Sequence, residues 1–319
     1  MSKLYIIGNG FDQHHNIKTN YADFRNYLKT NYSDLFDSME SYYDMDEDSL
    51  LWSQFENGLK DFNPTELEAN FGKYIPDYSS DDFKEGNRSD LQFYIKNELE
   101  PIQEELQKAF NSWIASRRML SSIYSRKIQL DSNALFLNFN YTDILESLYC
   151  IPRNKINYIH NKSGENNSNL LFGHAWNPTE WAKQREHVMP ENLEDEEKQD
   201  WIDYQSENHD YSIMIAYEEI DNFFSKIYKD CNTVIQNNIS FFQQLKSITE
   251  IYIFGHSLSE VDRPYFIKIV QSVKLKDVHW IISYYGNDEL NSHTNFITEV
   301  GVDLSMVKFI KLDELLVNF

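Results

Sequence analysis

The stretch Leu4-Tyr5-Ile6-Ile7-Gly8-Asn9-Gly10-Phe11-Asp12 decides how the rest of the chain is read. Four consecutive apolar residues running into a Gly-x-Gly turn describe a buried strand that feeds a tight loop. There a missing side chain lets a ligand approach the main chain. A helix-like run, Tyr21 to Lys29, follows. Strand, glycine turn and helix in that order make the phosphate cradle of an open α/β sheet. Gln13 stands where the full dinucleotide fingerprint carries its third glycine, so a plain strand-to-loop turn is the alternative for this motif taken alone.

Working outward, further strands are expected at Ala134–Phe139, Ile156–Ile159, Asn169–Phe172, Ile251–Phe254, Val278–Tyr284 and Met306–Ile310. Between them the periodicity is helical. Leu91, Ile95, Leu99, Ile102, Leu106, Phe110 and Ile114 recur at intervals of three or four, with Pro101 predicting a kink or a break. Leu50 to Leu59 and the run from Trp176 to Thr249 also read as helical, and Glu289–Val300 as a crossover helix. Asp143 or Thr142 is expected to cap the short helix that begins at Ile144, and Ser259 the one from Glu260. From Glu180 to Asp210 eleven Asp or Glu stand against three Lys or Arg, the composition of a solvated face. The expected fold class is α/β: a Rossmann-like, mainly parallel sheet in a single domain over 1–319. It carries a helical insertion at 40–130 and an acidic helical insertion at 176–249.

The formal charge of −22 over 319 residues argues against a general grip on nucleic-acid backbones or anionic membranes. Two cysteines, Cys150 and Cys231, support neither a disulfide framework nor a cysteine zinc site. With no signal-peptide core and no apolar run near the ~18 residues of a membrane span, a soluble cytoplasmic protein is expected. Oligomeric state stays open, a homo-oligomer included.

In open α/β sheets ligands bind beyond the carboxyl ends of the strands. Read to their ends, the expected strands give Gly8-Asn9-Gly10 with Asp12, Asn140 with Asp143, His160, Gly173-His174 and Gly255-His256-Ser257. Each has a bland account as a cap, a turn partner or a surface histidine. Together they place small, amide and imidazole groups on one sheet edge.

These segments also carry a resemblance. Ile7-Gly8-Asn9-Gly10-Phe11-Asp12 with His15 and Thr19-Asn20-Tyr21-Ala22-Asp23-Phe24 is similar to the opening signature of the AbiH family of phage abortive-infection proteins. Asn138 to Glu146, Tyr158-Ile159-His160, Leu171 to His174 and Ile253 to Leu258 are similar to its later blocks. Asn16 and Asn161 stand where the family usually has glycine, and asparagine tolerates left-handed backbone better than most residues. Lys18 replaces the family's proline. The blocks also resemble, at a distance, sirtuin-like NAD-binding proteins of phage defence.

The resemblance implies that Gly8, Asn9, Gly10, Phe11, Asp12 and His15, with Gly255, His256 and Ser257, bind NAD. It makes Asn140 and His160 catalytic at the nicotinamide ribose and gives Asp143 the ribose end. Asp143 lies three residues beyond Asn140 rather than two, with Thr142 in the nearer position. The implied reaction is cleavage of the nicotinamide N-glycosidic bond by a phage-defence hydrolase. Two alternatives differ in class. One is a nucleotide-sensing module without turnover. The other is a metal-dependent phosphoesterase using His14, His15, His160, His174, His256 and Asp12, although no D-x-H or H-E-x-x-H spacing appears and the preferred reading holds no metal. A serine nucleophile at Ser257 fails the G-x-S-x-G spacing.

Overall fold

The computed structural model describes residues 2–43, 54–117, 125–165, 169–183, 194, 197–200 and 210–317. Six strands, β1 (Ser2–Ile7), β2 (Leu135–Asn138), β3 (Ile156–Tyr158), β4 (Ile248–Phe254), β5 (His279–Ser283) and β6 (Val307–Ile310), form one all-parallel sheet in the order β3-β2-β1-β4-β5-β6. The chain walks outward from β1 to β3, then returns to the other side of β1 and walks outward again. Strand order therefore reverses between β1 and β4, where open α/β sheets hold their ligand crevice.

Apolar runs build this sheet because both of its faces are covered. Leu4 and Ile6 of β1 join Leu137, Ile251, Ile253, Trp280 and Ile282 in one core. Tyr5 and Ile7 point the other way, to Phe136, Ile144, Phe254 and Ile310. Each side chain buried this completely contributes roughly 1.5–3 kcal/mol.

The helices are α1 (Asn9–His14), α2 (Tyr21–Asn31), α3 (Ser33–Tyr42), α4 (Phe55–Gly58), α5 (Thr65–Phe71) and α6 (Asp90–Ala115) between β1 and β2. Then come α7 (Ile144–Ser147) before β3, and α8 (Pro178–Lys183), α9 (Tyr211–Lys226), α10 (Cys231–Asn237) and α11 (Ile239–Gln244) before β4. Last are α12 (Arg263–Ser272) and α13 (Asn287–Glu299). Asn20 starts α2 by accepting from the Asp23 N–H at 2.8 Å. The two insertions share a third core with α2: Phe24 of α2, Phe55 of α4, Phe110 and Trp113 of α6, and Phe223 and Phe224 of α9. They form one helical cap beside the sheet.

Several expectations are corrected. Pro101 neither breaks nor divides its helix: α6 runs through it for 26 residues. Pro101 lies on the exposed side, where the carbonyl that loses its amide partner meets water. Asn169–Phe172 is not a strand. The Leu170 N–H bonds the Asn111 side chain and the Leu171 N–H bonds the His160 carbonyl, while Leu170 itself enters the cap core. Asp143 occupies the cap position of α7 and Ser259 precedes a 3-10 turn, Glu260–Asp262, yet neither side chain makes a capping bond. Pro264 falls in the first positions of α12. Residues 44–53, 118–124 and most of 184–209 lie outside the described residues, and with them the start of the Leu50 to Leu59 run and most of the acidic run. Among the described residues no helix is long and apolar enough to cross a membrane.

Candidate active site

At the reversal point the start of α1, with Gly8 before it, meets the loop after β4 backbone on backbone. The Gly8 N–H bonds the Phe254 carbonyl at 3.0 Å and the Gly10 N–H bonds the Gly255 carbonyl at 2.6 Å. A Cβ on Gly8 would lie 2.5 Å from His256 Cα, and one on Gly255, at φ +63, would lie 2.0 Å from Phe11 N. The missing side chains make this loop-on-loop approach possible. Asn9 is pinned in turn: its Nδ2 donates to the Thr19 carbonyl at 2.7 Å, and its Oδ1 accepts from Thr19 Oγ1 at 2.6 Å.

Over these strand ends lies a cleft of about 1660 Å³, bounded on one side by the helical cap. Gly8, Asn9, Gly10, Asp12, Asn140, His160, Gly255, His256 and Ser257 line it. Phe11, His15 and Asp143 do not. Phe11 is wholly buried beneath β1. His15 has both ring nitrogens engaged, with the Phe11 carbonyl at 2.7 Å and the Tyr149 hydroxyl at 2.8 Å. Asp143 is exposed at the start of α7, and Thr142, in the nearer position, reaches Asp12 instead. His174 is buried within the cap, its Nε2 bonded to the Phe224 carbonyl at 3.0 Å. Among the described residues no three His, Cys, Asp or Glu side chains are grouped to hold a metal ion.

Sequence reasoning missed three residues here: Glu56 and Asp262 line the cleft, and Lys229 is paired to both. Lys229, just before α10, is almost fully buried, 3.0 Å from Asp262 Oδ1 and hydrogen-bonded to Glu56 of α4. Asp262 also faces both cleft histidines: His256 Nε2 is 3.4 Å from Oδ2 and His160 Nε2 is 3.6 Å from Oδ1. The Leu258 N–H donates to His256 Nδ1 at 2.9 Å, which makes Nδ1 the lone-pair nitrogen and leaves the proton on Nε2, toward Asp262. Leu258 adopts φ 52 to deliver that bond, a left-handed conformation that leucine rarely takes. In His160 the ring hydrogen-bonds the Phe139 backbone, while Nε2 has no hydrogen-bond partner although the residue is only 2% exposed.

The electrostatics sort these groups. Burial disfavours the Lys229 charge, but Asp262 and Glu56 hold its pKa above that of an ordinary amine. Burial likewise opposes ionisation of Asp262, yet Lys229 and the His256 hydrogen bond keep it well below the usual carboxylate range. Glu56 moves up, driven by burial, against the pull of Lys229. Burial, reinforced by the Lys229 charge, drives His160 down to about 3, so it is a neutral base at neutral pH. Two carboxylates pushed apart beside a neutral imidazole form an arrangement suited to moving protons.

The family model described as bacteriophage abortive infection AbiH matches residues 4–284. The chain belongs to the AbiH family. It is thus a phage abortive-infection protein. No curated protein matches it. The matched span of this AbiH chain contains Asp12, Glu56, Asn140, His160, Lys229, His256 and Asp262 together. Local sequence announces the missed three poorly. Glu56 and Lys229 sit in polar contexts that read as surface, and only Asp262, two residues before Pro264 at a helix start, offered a signal.

Proposed function

We propose that this AbiH protein cleaves the nicotinamide N-glycosidic bond of NAD. The observation that carries the reading is His160 Nε2: a buried ring nitrogen without a hydrogen-bond partner, in a residue that lines a cleft at the carboxyl edge of a parallel sheet. Buried polar atoms are nearly always hydrogen-bonded, so an orphan in a cleft invites a ligand donor. A sugar hydroxyl or a water would supply it.

The charge of the cleft supports the same chemistry. Among the described residues, Asp12, Glu56, Glu260, Asp262, Asp288, Glu289, Glu299 and Asp313 line it, against the lysine and arginine side chains of Lys311 and Arg126. Transfer of an anionic phosphoryl group is poorly served by such a wall. In glycosidic cleavage, by contrast, positive charge moves from the pyridinium ring onto the sugar. Carboxylates fixed near the sugar then favour the transition state over the ground state. Water bonds to C1′ as the C1′–N bond breaks. The bonding pair leaves with nicotinamide, which departs neutral, and the water's proton passes to His160 Nε2 and on to solvent, leaving ADP-ribose. The opening turn, with Gly255, His256 and Ser257, would run along the diphosphate, and Arg126 and Lys311 would take its negative charge.

The test is nicotinamide release from NAD by the purified chain, with His160→Ala and Asn140→Ala alongside. Release abolished by either substitution supports the reading, and full activity in both removes it. Tight nucleotide binding without release would instead make the cleft a sensor that signals through the cap.

A further inference from the structure

Asn140 and Asp12 lie 128 residues apart in sequence and meet at the cleft. Asn140 Nδ2 donates to Asp12 Oδ1 at 2.9 Å, and Thr142 Oγ1 lies 3.0 and 2.9 Å from the two carboxylate oxygens. Asp12 and Asn140 are buried, at 1% and 4% exposure, and the Asn140 backbone is fixed separately by its N–H bond to Asn138 Oδ1 at 3.1 Å. A primary amide has the same shape either way round, and only its partners decide which end is oxygen. A carboxylate accepts and never donates, so it selects the NH2 end.

We infer that Asp12 is the positioning residue for Asn140, holding the amide so that its carbonyl oxygen, and not its NH2, is presented to the cleft. This rests on the glycohydrolase reading for its catalytic consequence. A water that donates one proton to Asn140 Oδ1 and the other to His160 Nε2 keeps its lone pairs free for C1′. With the amide reversed, its N–H would bind those lone pairs and blunt the attack. Asp12 is therefore not a ligand-binding carboxylate but the group that makes Asn140 an acceptor.

The arrangement depends on pH. Burial raises the Asp12 carboxyl to about 7, against the pull of hydrogen bonds from Thr142, Asn140 and Thr19, and the Asp143 charge raises it further. Once protonated, Asp12 can donate as well as accept, and the selection between amide ends weakens.

The experiment follows kcat and KM for nicotinamide release against pH in the full chain, wild type, Asp12→Asn and Thr142→Val. In the wild type kcat falls on the acid side with a midpoint near 7, far above the range in which His160 titrates. Asp12→Asn lowers kcat about 10²-fold with KM little changed, and its profile lacks that limb. Thr142→Val keeps the shape but removes a donor from the carboxylate, and moves the limb up by about one pH unit. In parallel, the Asn140 side-chain amide resonance of ¹⁵N-labelled, deuterated protein is titrated, a readout that needs no turnover and serves even if Asp12→Asn does not fold. It shifts with the same midpoint in the wild type and a higher one in Thr142→Val. An Asp12→Asn protein with full kcat and an intact limb overturns the inference, as does an amide resonance that stays constant between about pH 6 and pH 8. A wild type that releases no nicotinamide overturns the glycohydrolase reading, and the amide titration then decides the role of Asp12 alone.

Discussion

Lys229 Nζ stands 3.0 Å from Asp262 Oδ1 and bonds Glu56 on its other side, so one buried ammonium joins the helical cap to the sheet edge. Removing a single partner from such a group leaves charge uncompensated in a poorly solvated site. Lys229→Met is expected to lower unfolding stability by about 3–5 kcal/mol in urea titrations. Adding Glu56→Gln to it should recover part of that loss, giving a coupling of about 1 kcal/mol or more. Strict additivity of the two substitutions would contradict the coupling.

Asn16 and Asn161 sit at φ 60 and φ 67, the left-handed region that glycine occupies at no steric cost. Replacing either with glycine is expected to leave thermal stability within about 0.5 kcal/mol. Replacing either with alanine should cost about 1–2 kcal/mol. Equal melting temperatures for the two replacements at one position would show that backbone sign does not matter there.

Gly255 and Gly173 admit no side chain. A Cβ would stand 2.0 Å from Phe11 N in the first case and 2.1 Å from the Ile227 carbonyl oxygen in the second, and both residues have positive φ. Gly86 faces open space. Alanine at 255 or 173 is expected to cost more than about 3 kcal/mol, or to prevent accumulation of folded protein. Alanine at 86 should change stability by no more than about 0.5 kcal/mol. Circular dichroism melts of the three variants compare them directly.

Acid should destabilise the fold before any carboxylate of ordinary pKa is protonated. Burial depresses His160 to about 3 and His15, His174 and His293 to about 4. An unfolded histidine titrates near ~6.5, so between about 6.5 and 4 the unfolded chain binds protons that the folded chain does not, and stability falls as pH falls. Asp12 acts oppositely: its folded pKa of about 7 exceeds the unfolded value, so its contribution is present in acid and lost as pH rises through 7. Glu56, which burial also raises, acts in the same sense, and two such carboxyls set against four depressed histidines leave the net slope positive. The urea midpoint should drop between about pH 7 and pH 5, and more steeply in Asp12→Asn. A midpoint that rises on acidification would refute the buried neutral histidines.

The ends of the first four strands were legible because their apolar runs stop at glycine, asparagine or histidine, and those stops fall on one edge once the strands are parallel. The order of the strands was not legible, since nothing local says that β4 returns to the far side of β1. Asn169–Phe172 misled because Leu170 is apolar for the sake of the cap core, not of a sheet. Asn140 and His160 could be read as a pair from their strand ends. The charged trio could not: Lys229 is 173 residues from Glu56 and 33 from Asp262, and each looks solvated until the others are present. His15 was misplaced for the converse reason, a polar residue whose two nitrogens are both satisfied inside the core.

The trio draws one member from each insertion and one from beyond β4. During synthesis, therefore, a growing polypeptide carries the lysine before its second counter-ion has been made. Until the ribosome has passed residue 262, neither histidine of the cleft has its acidic neighbour. A product truncated before that point would lack the carboxylate that both cleft histidines face, however well its cap had folded.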